Sequence, residues 1–277
     1  LPILFVLLII VCVRSLTLDG ASEGLSFLFK PDFSQLTSSA VLVAMGLAFF
    51  KLSVGMGTMI TYGSYYPDDA NIPRNAVRVM LADVLVSLLA GIAIFPAVFA
   101  FGFEPAAGPS LLFITIPAVF SSMPLGSFFM VLFFILSAVA ATGAMVSLVE
   151  VPVALLHEKL GWSRLASTAV TVLLLALIGS TAALSSSSLA DFQIFGKNMF
   201  DLFDYASSNI LLPLGGFFIS LFITWRFGFG NKELVATLTN NGTLKNAKLV
   251  KAYLVITTIV TPIAVLIVLL DGLGLFV

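Results

Sequence analysis

The chain has 277 residues, of which 60% are hydrophobic and only 10% charged, where an ordinary soluble domain carries about 25% charged residues. With a mean hydropathy of +1.13 and a formal net charge of -1, a water-soluble fold is excluded and no basic footprint for nucleic acid exists. One cysteine, Cys12, and one histidine, His157, cannot supply a disulfide framework or a Cys/His zinc site, so no metal site is assigned and the lipid bilayer is the expected surrounding.

A membrane helix needs about 20 mostly apolar residues. In chain order, such stretches fall at 1–13, 41–62, 79–102, 127–156, 165–184, 206–225 and 252–270. The reading is therefore an all-α polytopic membrane protein of about seven helices, forming a single transmembrane domain over 1–277. The first run, LPILFVLLIIVCV, is too short to cross alone. It lacks a basic leader and a clearly placed cleavage site, so it reads as a helix cut in half, in a chain expected to continue upstream of Leu1.

Orientation follows from lysine and arginine in the loops. Loops 14–40, 103–126 and 185–205 hold Arg14, Lys30 and Lys197, three in all. Loops 63–78, 157–164 and 226–251 hold Arg74, Arg78, Lys159, Arg164, Arg226, Lys232, Lys245, Lys248 and Lys251, nine in all. The second set is expected on the cytoplasmic side, where the acceptor sequence Asn241-Gly242-Thr243 would stay unglycosylated. The apolar loop 103–126 is punctuated by Pro105, Pro109, Pro117 and Pro124. Proline removes backbone donors, which a lipid-exposed span cannot tolerate; the loop reads as a cap over the outer mouth or as an apolar surface loop.

The stretch Ser53-Val54-Gly55-Met56-Gly57 puts two glycines in mid-span. Each costs roughly 1 kcal/mol against alanine in a helix interior. Unwound backbone at membrane depth survives only along a cavity or ligand site, and discontinuous helices mark the central site of secondary transporters. Close helix packing through small residues is the alternative. Lys51 lies in the same span, about ten residues or roughly 15 Å from either end, too far to snorkel comfortably. An intramembrane charge is usually functional; a structural pair with Asp83 or Glu150 is the other reading.

The runs FFKLSVGMGTMITYGSYY, LLAGIAIFP at 88–96, GPSLLFITIPAVF at 108–120, SLVEVPVALLHEKLGWSR at 147–164 and NILLPLGG at 209–216 together resemble the neurotransmitter:sodium symporter family in its bacterial branch. The resemblance runs through nearly the whole chain. It implies the leucine-transporter fold of two inverted five-helix repeats, with the present spans as its fifth to eleventh helices and the first four absent. It further implies that the broken helix helps hold an amino acid and sodium ions at the midplane. By motif position, Phe50 matches the aromatic lid over the substrate, Ser53 and Met56 line the side-chain pocket, and Lys51, Val54 and Gly55 belong to the same substrate-binding stretch. Asp204 matches the acid of the outer gate, and Tyr65 and Glu158 match members of the inner gate.

The sequence departs from that pattern where sodium ligands belong. The family places a hydroxyl after the FF pair and an asparagine nine residues before the glycine of LLAG; here these are Lys51 and Ala82. The hydroxyl pair of the second ion falls on Gly143 and Ala144, and Ala140 completes the ion-site positions. Thr142 is one place off, a turn of about 100° on a helix. Two cations cannot share one spot, so Lys51 is expected to stand in for the first sodium. Burial disfavours the charged form of an amine, which opens proton coupling as well. The alternative is that backbone carbonyls, Ser53 and Thr142 rebuild a sodium site.

These residues point to a secondary active transporter of an amino acid, hydrophobic or aromatic because Met56 offers an adaptable thioether. Coupling would be sodium symport by resemblance, or sodium-independent or proton-coupled by the replaced ligands. No cofactor is expected, sodium being a doubtful one, and no enzyme constellation is present. The different-class alternative is a truncated or degenerate non-transporting scaffold. The expected location is the cell (inner) membrane, multi-pass, with a homo-oligomer left open.

Overall fold

A computed structural model describes residues 2–67, 69–103, 105, 111–225 and 228–275. The chain is helical, and among the described residues the one β feature is an isolated bridge between Ile194 and Lys197. Thirteen α-helices follow in order: α1 Pro2–Leu16, α2 Ala21–Phe29, α3 Ser38–Lys51, α4 Thr58–Gly63, α5 Ile72–Ala100, α6 Ile116–Ser121, α7 Gly126–Leu160, α8 Arg164–Ala183, α9 Met199–Tyr205, α10 Leu212–Thr224, α11 Gly230–Leu238, α12 Ala247–Val255 and α13 Thr261–Gly272.

Local sequence sets the starts of these helices. Thr37, Ser163 and Asn198 sit in extended conformation before α3, α8 and α9, and each side chain accepts a backbone N–H from three residues on, satisfying a donor the helix cannot. Three π-helical turns, Leu111–Thr115, Ala206–Leu211 and Ile256–Val260, lead directly into α6, α10 and α13. Each of those helices carries proline as its second residue: Pro117, Pro213 and Pro262. Proline has no N–H for the carbonyl four residues back, so the ladder slips by one residue just before it, which is what a π-turn is.

The chain divides into two compact units, residues 1–35 with 77–146 and residues 36–76 with 147–277. Two of the three divisions fall inside α5 and α7, and the third lies between Gln35 and Leu36. In the first unit α1 buries Leu8, Val11 and Cys12 against Ala93, Ile116, Phe120 and Phe133, and Val98 packs with Val119 and Ala97. The second unit is built on α10, which packs against α3 and α13; Pro213 and Val265 are among its most buried side chains.

Among the described residues, five segments are long and apolar enough to cross a membrane: Ile72–Ala100, Gly126–Leu160, Arg164–Ala183, Met199–Thr224 and Ala247–Gly272. Here the structure differs from the seven stretches expected. The run at 1–13 extends to Leu16 and pairs with α2 at a bend of 115°, because Gly20 turns the chain at φ 88°. The span at 41–62 divides into α3 and α4, neither long enough alone. The segments read as loops contain α2, α9 and α11. Of the cap at 103–126, residues 104 and 106–110 lie outside the described set, and 111–121 are helical. Large apolar side chains remain exposed along the spans, for example Val43, Leu173 and Leu177, as lipid contact requires.

Candidate functional site

The winding of α3 stops at Lys51 and resumes at Thr58. Three of the five residues from 53 to 57 are left-handed: Ser53 at φ 53°, Gly55 at 89° and Gly57 at 81°. For Ser53 that conformation carries strain of the kind that persists only where surrounding structure imposes it, often at functional sites. The Val54 N–H reaches back five residues to the Phe49 carbonyl at 2.9 Å, which ends the α ladder.

The surrounding structure that imposes the break is the start of α10. A Cβ on Gly55 would lie 2.3 Å from the Leu212 carbonyl oxygen, and one on Gly215 would lie 2.3 Å from the Gly55 carbonyl oxygen. A Cβ on Gly216 would lie 2.6 Å from the Phe49 ring. The glycines of NILLPLGG and of SVGMG therefore let two backbones touch.

Two further parts of the site lie in the same unit. Towards the outer end, Phe50 and Asp204 line one cavity of about 340 Å³, with Ser208, Asn209 and Asp271 also on its wall. The two positions that the resemblance reads as lid and outer gate thus line the same cavity. Phe50 is 49% exposed, and the Asp204 carboxylate accepts from the Ser208 hydroxyl at 3.2 Å. The cavity edge is held by Gly272, where a Cβ would come 2.7 Å from the Asn209 carbonyl oxygen, and by Tyr205, whose hydroxyl donates to the Gly272 carbonyl at 2.9 Å.

At the other end, the Tyr65 hydroxyl donates to Glu150 Oε1 at 2.6 Å, and Arg164 Nη2 pairs with the same oxygen at 2.5 Å. One turn earlier on each side, the Tyr62 hydroxyl donates to Ser147 Oγ at 2.6 Å. The Glu150 carboxylate raises the Tyr65 phenol above the ordinary tyrosine range, first through this hydrogen bond. The arrangement ties the end of α4 to the last turns of α7 and the first residue of α8, as a latch would.

Lys51 is the last residue of α3 and is exposed; Ser53 and Met56 are half-buried in the break, and Val54 is exposed. Glu150, one of the two partners considered for Lys51 from sequence, is held by Tyr65 and Arg164. Glu158 is exposed on the last turn of α7 with no hydrogen bond or ion pair among the described residues, and the hydrogen-bond partner of Tyr65 is Glu150. Ala82 on α5 and Ala140, Gly143 and Ala144 on α7 belong to the first unit, and all are exposed. Sequence reasoning missed Arg164 and Ser147, which lie within the quoted block 147–164, and Gly215 and Gly216, whose pairing with Gly55 needed the third dimension.

The site thus joins a discontinuous helix on a glycine seat, a cavity at one end and an ionic latch at the other. The Sodium:neurotransmitter symporter family matches residues 2–275, and the chain belongs to that family. It is 42% identical to the uncharacterized sodium-dependent transporter YhdH of Bacillus subtilis (strain 168) over 99% of this chain and 60% of the relative. It is 36% identical to an uncharacterized sodium-dependent transporter of Haemophilus influenzae over 98% and 58%. The crystal structure of MhsT in complex with L-phenylalanine superposes with a TM-score of 0.86 at 43% identity, over 98% of this chain and 60% of that one. The chain thus spans about 60% of the length of these relatives. Family and relatives are transporters, not enzymes, and the protein is a multi-pass membrane protein of the leucine-transporter fold.

Proposed function

We propose that this chain forms the part of a secondary amino-acid transporter that carries the broken substrate helix, the outer cavity and the inner latch. The observation that carries the reading is the interruption at residues 52–57, locked in the left-handed region at three positions and seated on the α10 backbone. Such a segment frees main-chain donors and acceptors at membrane depth, where a substrate's amino and carboxylate groups can use them. An apolar or aromatic amino acid is supported by the flexible Met56 beside the break and by L-phenylalanine in the MhsT crystal structure. The bacterial relatives support the cell membrane as its location.

Coupling follows from charge. Lys51 stands where the family resemblance places an alkali-ion ligand, and Ala82, Gly143 and Ala144 offer no side-chain oxygen. The ammonium of Lys51 takes over the role of one sodium, and transport no longer requires that ion. Uptake of radiolabelled phenylalanine by the full-length protein, in sodium against choline medium, tests this. Equal rates are expected in the two media, and strict sodium dependence overturns the role of Lys51. Adding Lys51→Thr with Ala82→Asn restores two oxygen ligands and should make uptake rise several-fold with sodium. No saturable uptake of any amino acid in either medium favours a non-transporting scaffold.

A further inference from the structure

The segment between α10 and α13 carries charge that lies outside the site described above. Its helices α11 and α12 form a hairpin whose core is Leu234, Leu238 and Val250, with Ile223 from the end of α10 and Leu254 packed against it. A tight turn joins them: Asn240, Asn241 and Gly242 are successively left-handed. Thr239 Oγ1 accepts from the Gly242 N–H at 3.1 Å, and Asn246 Nδ2 donates to the Leu238 carbonyl at 2.9 Å.

This core dictates where the lysines go. Lys232 precedes buried Leu234 by two residues and Lys248 precedes buried Val250 by two, and at 100° per residue each lies about 160° round its helix from the core. Lys251 is one turn from Lys248, and Lys245 stands just before the helix. All four are exposed, and none has a hydrogen bond or ion pair among the described residues.

Their depth follows from length. The span Ala247–Gly272 has 26 residues, about 39 Å at 1.5 Å per residue, which exceeds the roughly 30 Å hydrocarbon core. Within it, 252–270 carries no charge. Those 19 residues cover about 28 Å, bounded by Lys251 at one end and Asp271 at the other. Lys251 and Lys248 therefore stand at headgroup level, on the side where nine of the loop cations lie. Ile223 and Leu254 seat the hairpin, which carries Lys232 and Lys245, on the same ends of the spans.

We propose that the α11–α12 hairpin is a docking surface for anionic phospholipid headgroups of the cytoplasmic leaflet. The positive row meets a negative one, the hairpin core fixes the row, and Glu233, the one acid between 230 and 255, forms no ion pair with it among the described residues. The inference is independent of substrate and coupling ion.

Full-length protein in phosphatidylcholine nanodiscs doped with phosphatidylglycerol tests it, with retained lipid counted by native mass spectrometry at low and high salt. Each charge near such a leaflet is worth about fivefold in binding, about 1 kcal/mol. The combined variant Lys232→Gln, Lys245→Gln, Lys248→Gln and Lys251→Gln should lose at least tenfold of the preference for phosphatidylglycerol, high salt should lower the wild-type preference, and the four Lys→Arg changes should keep it. Lys30→Gln with Lys197→Gln, from the opposite loops, should leave it unchanged. The proposal fails if the glutamine variant keeps the preference, if the arginine variant loses it, or if the opposite-side control loses as much. Should the fourfold glutamine variant not fold, Lys248→Gln and Lys232→Gln singly decide, each expected to lose several-fold.

Discussion

Replacing Gly55 with alanine asks for two costs at once, both readable from the structure. The residue sits at φ 89°, where an L side chain costs about 1–2 kcal/mol. Its Cβ would lie 2.3 Å from the Leu212 carbonyl oxygen, about 1 Å inside the roughly 3.3 Å at which carbon and oxygen ordinarily meet. The obstacle is backbone, anchored by Pro213 behind it, so it cannot rotate away as a side chain would. Overpacking of this kind costs about 1–3 kcal/mol. Gly55→Ala should therefore lose about 2–5 kcal/mol, a large part of the roughly 5–15 kcal/mol of a typical fold. Thermal unfolding of the full-length protein in detergent, with phenylalanine uptake alongside, measures it: a lower midpoint and loss of most uptake are expected. Two controls bracket the effect. Gly57→Ala has the same backbone cost, but its neighbour is the Val151 Cγ1 methyl at 3.2 Å, which can yield, so it should lose only about 1–2 kcal/mol. Gly179→Ala, in mid-α8 with nothing within 4 Å, should gain about 0.5–1 kcal/mol. A Gly55→Ala protein that melts and transports like the wild type refutes the claim that the break is held by backbone contact.

The inner latch predicts coupling between neighbours. Tyr65→Phe removes the donor and Glu150→Ala the acceptor of the same hydrogen bond, so for that bond the double variant should be no worse than the more severe single one, read as accessibility of an introduced cysteine at this end of the helices. The latch has a pH signature of defined sign. The Tyr65 phenol is raised because the Glu150 carboxylate accepts its proton, so the protonated form belongs to the folded state. Its contribution is complete below the ordinary tyrosine pKa and is lost as pH climbs through the elevated folded value; Tyr65→Phe should remove a late-titrating phenolate from the ultraviolet absorbance. Asn198→Ala deletes the cap that accepts the Asp201 N–H at 2.8 Å, and should cost about 1 kcal/mol in thermal unfolding without changing which amino acids compete for uptake.

Much of the fold was legible because lipid imposes a coarse rule: residues 127–156 and 165–184 are apolar at helix length, and the structure puts α7 and α8 there with limits moved by a few residues. The break was legible because glycine in mid-span has few reasons to exist. What escaped was whatever depended on a second segment. Nothing near Glu150 announces Arg164 as its partner, since the two are 14 residues apart and meet only when the chain reverses after α7. Gly215 and Gly216 read as ordinary small residues until their distance to Gly55 and Phe49 is known. The π-turns could have been anticipated, since Pro117, Pro213 and Pro262 each stand inside an apolar run and each leaves a carbonyl unanswered.

A joint made by main chain on both sides has no opinion about side-chain chemistry. Gly55 and the first turn of α10 meet through carbonyls and Cα atoms, whereas Ser53, Val54 and Met56 hang from the same loop without contributing to its grip. Val54 and Met56, whose φ values are ordinary, can be exchanged more freely than Ser53, which sits at φ 53°. On the proposed function, ligand preference can therefore change at the side chains while the backbone joint is kept.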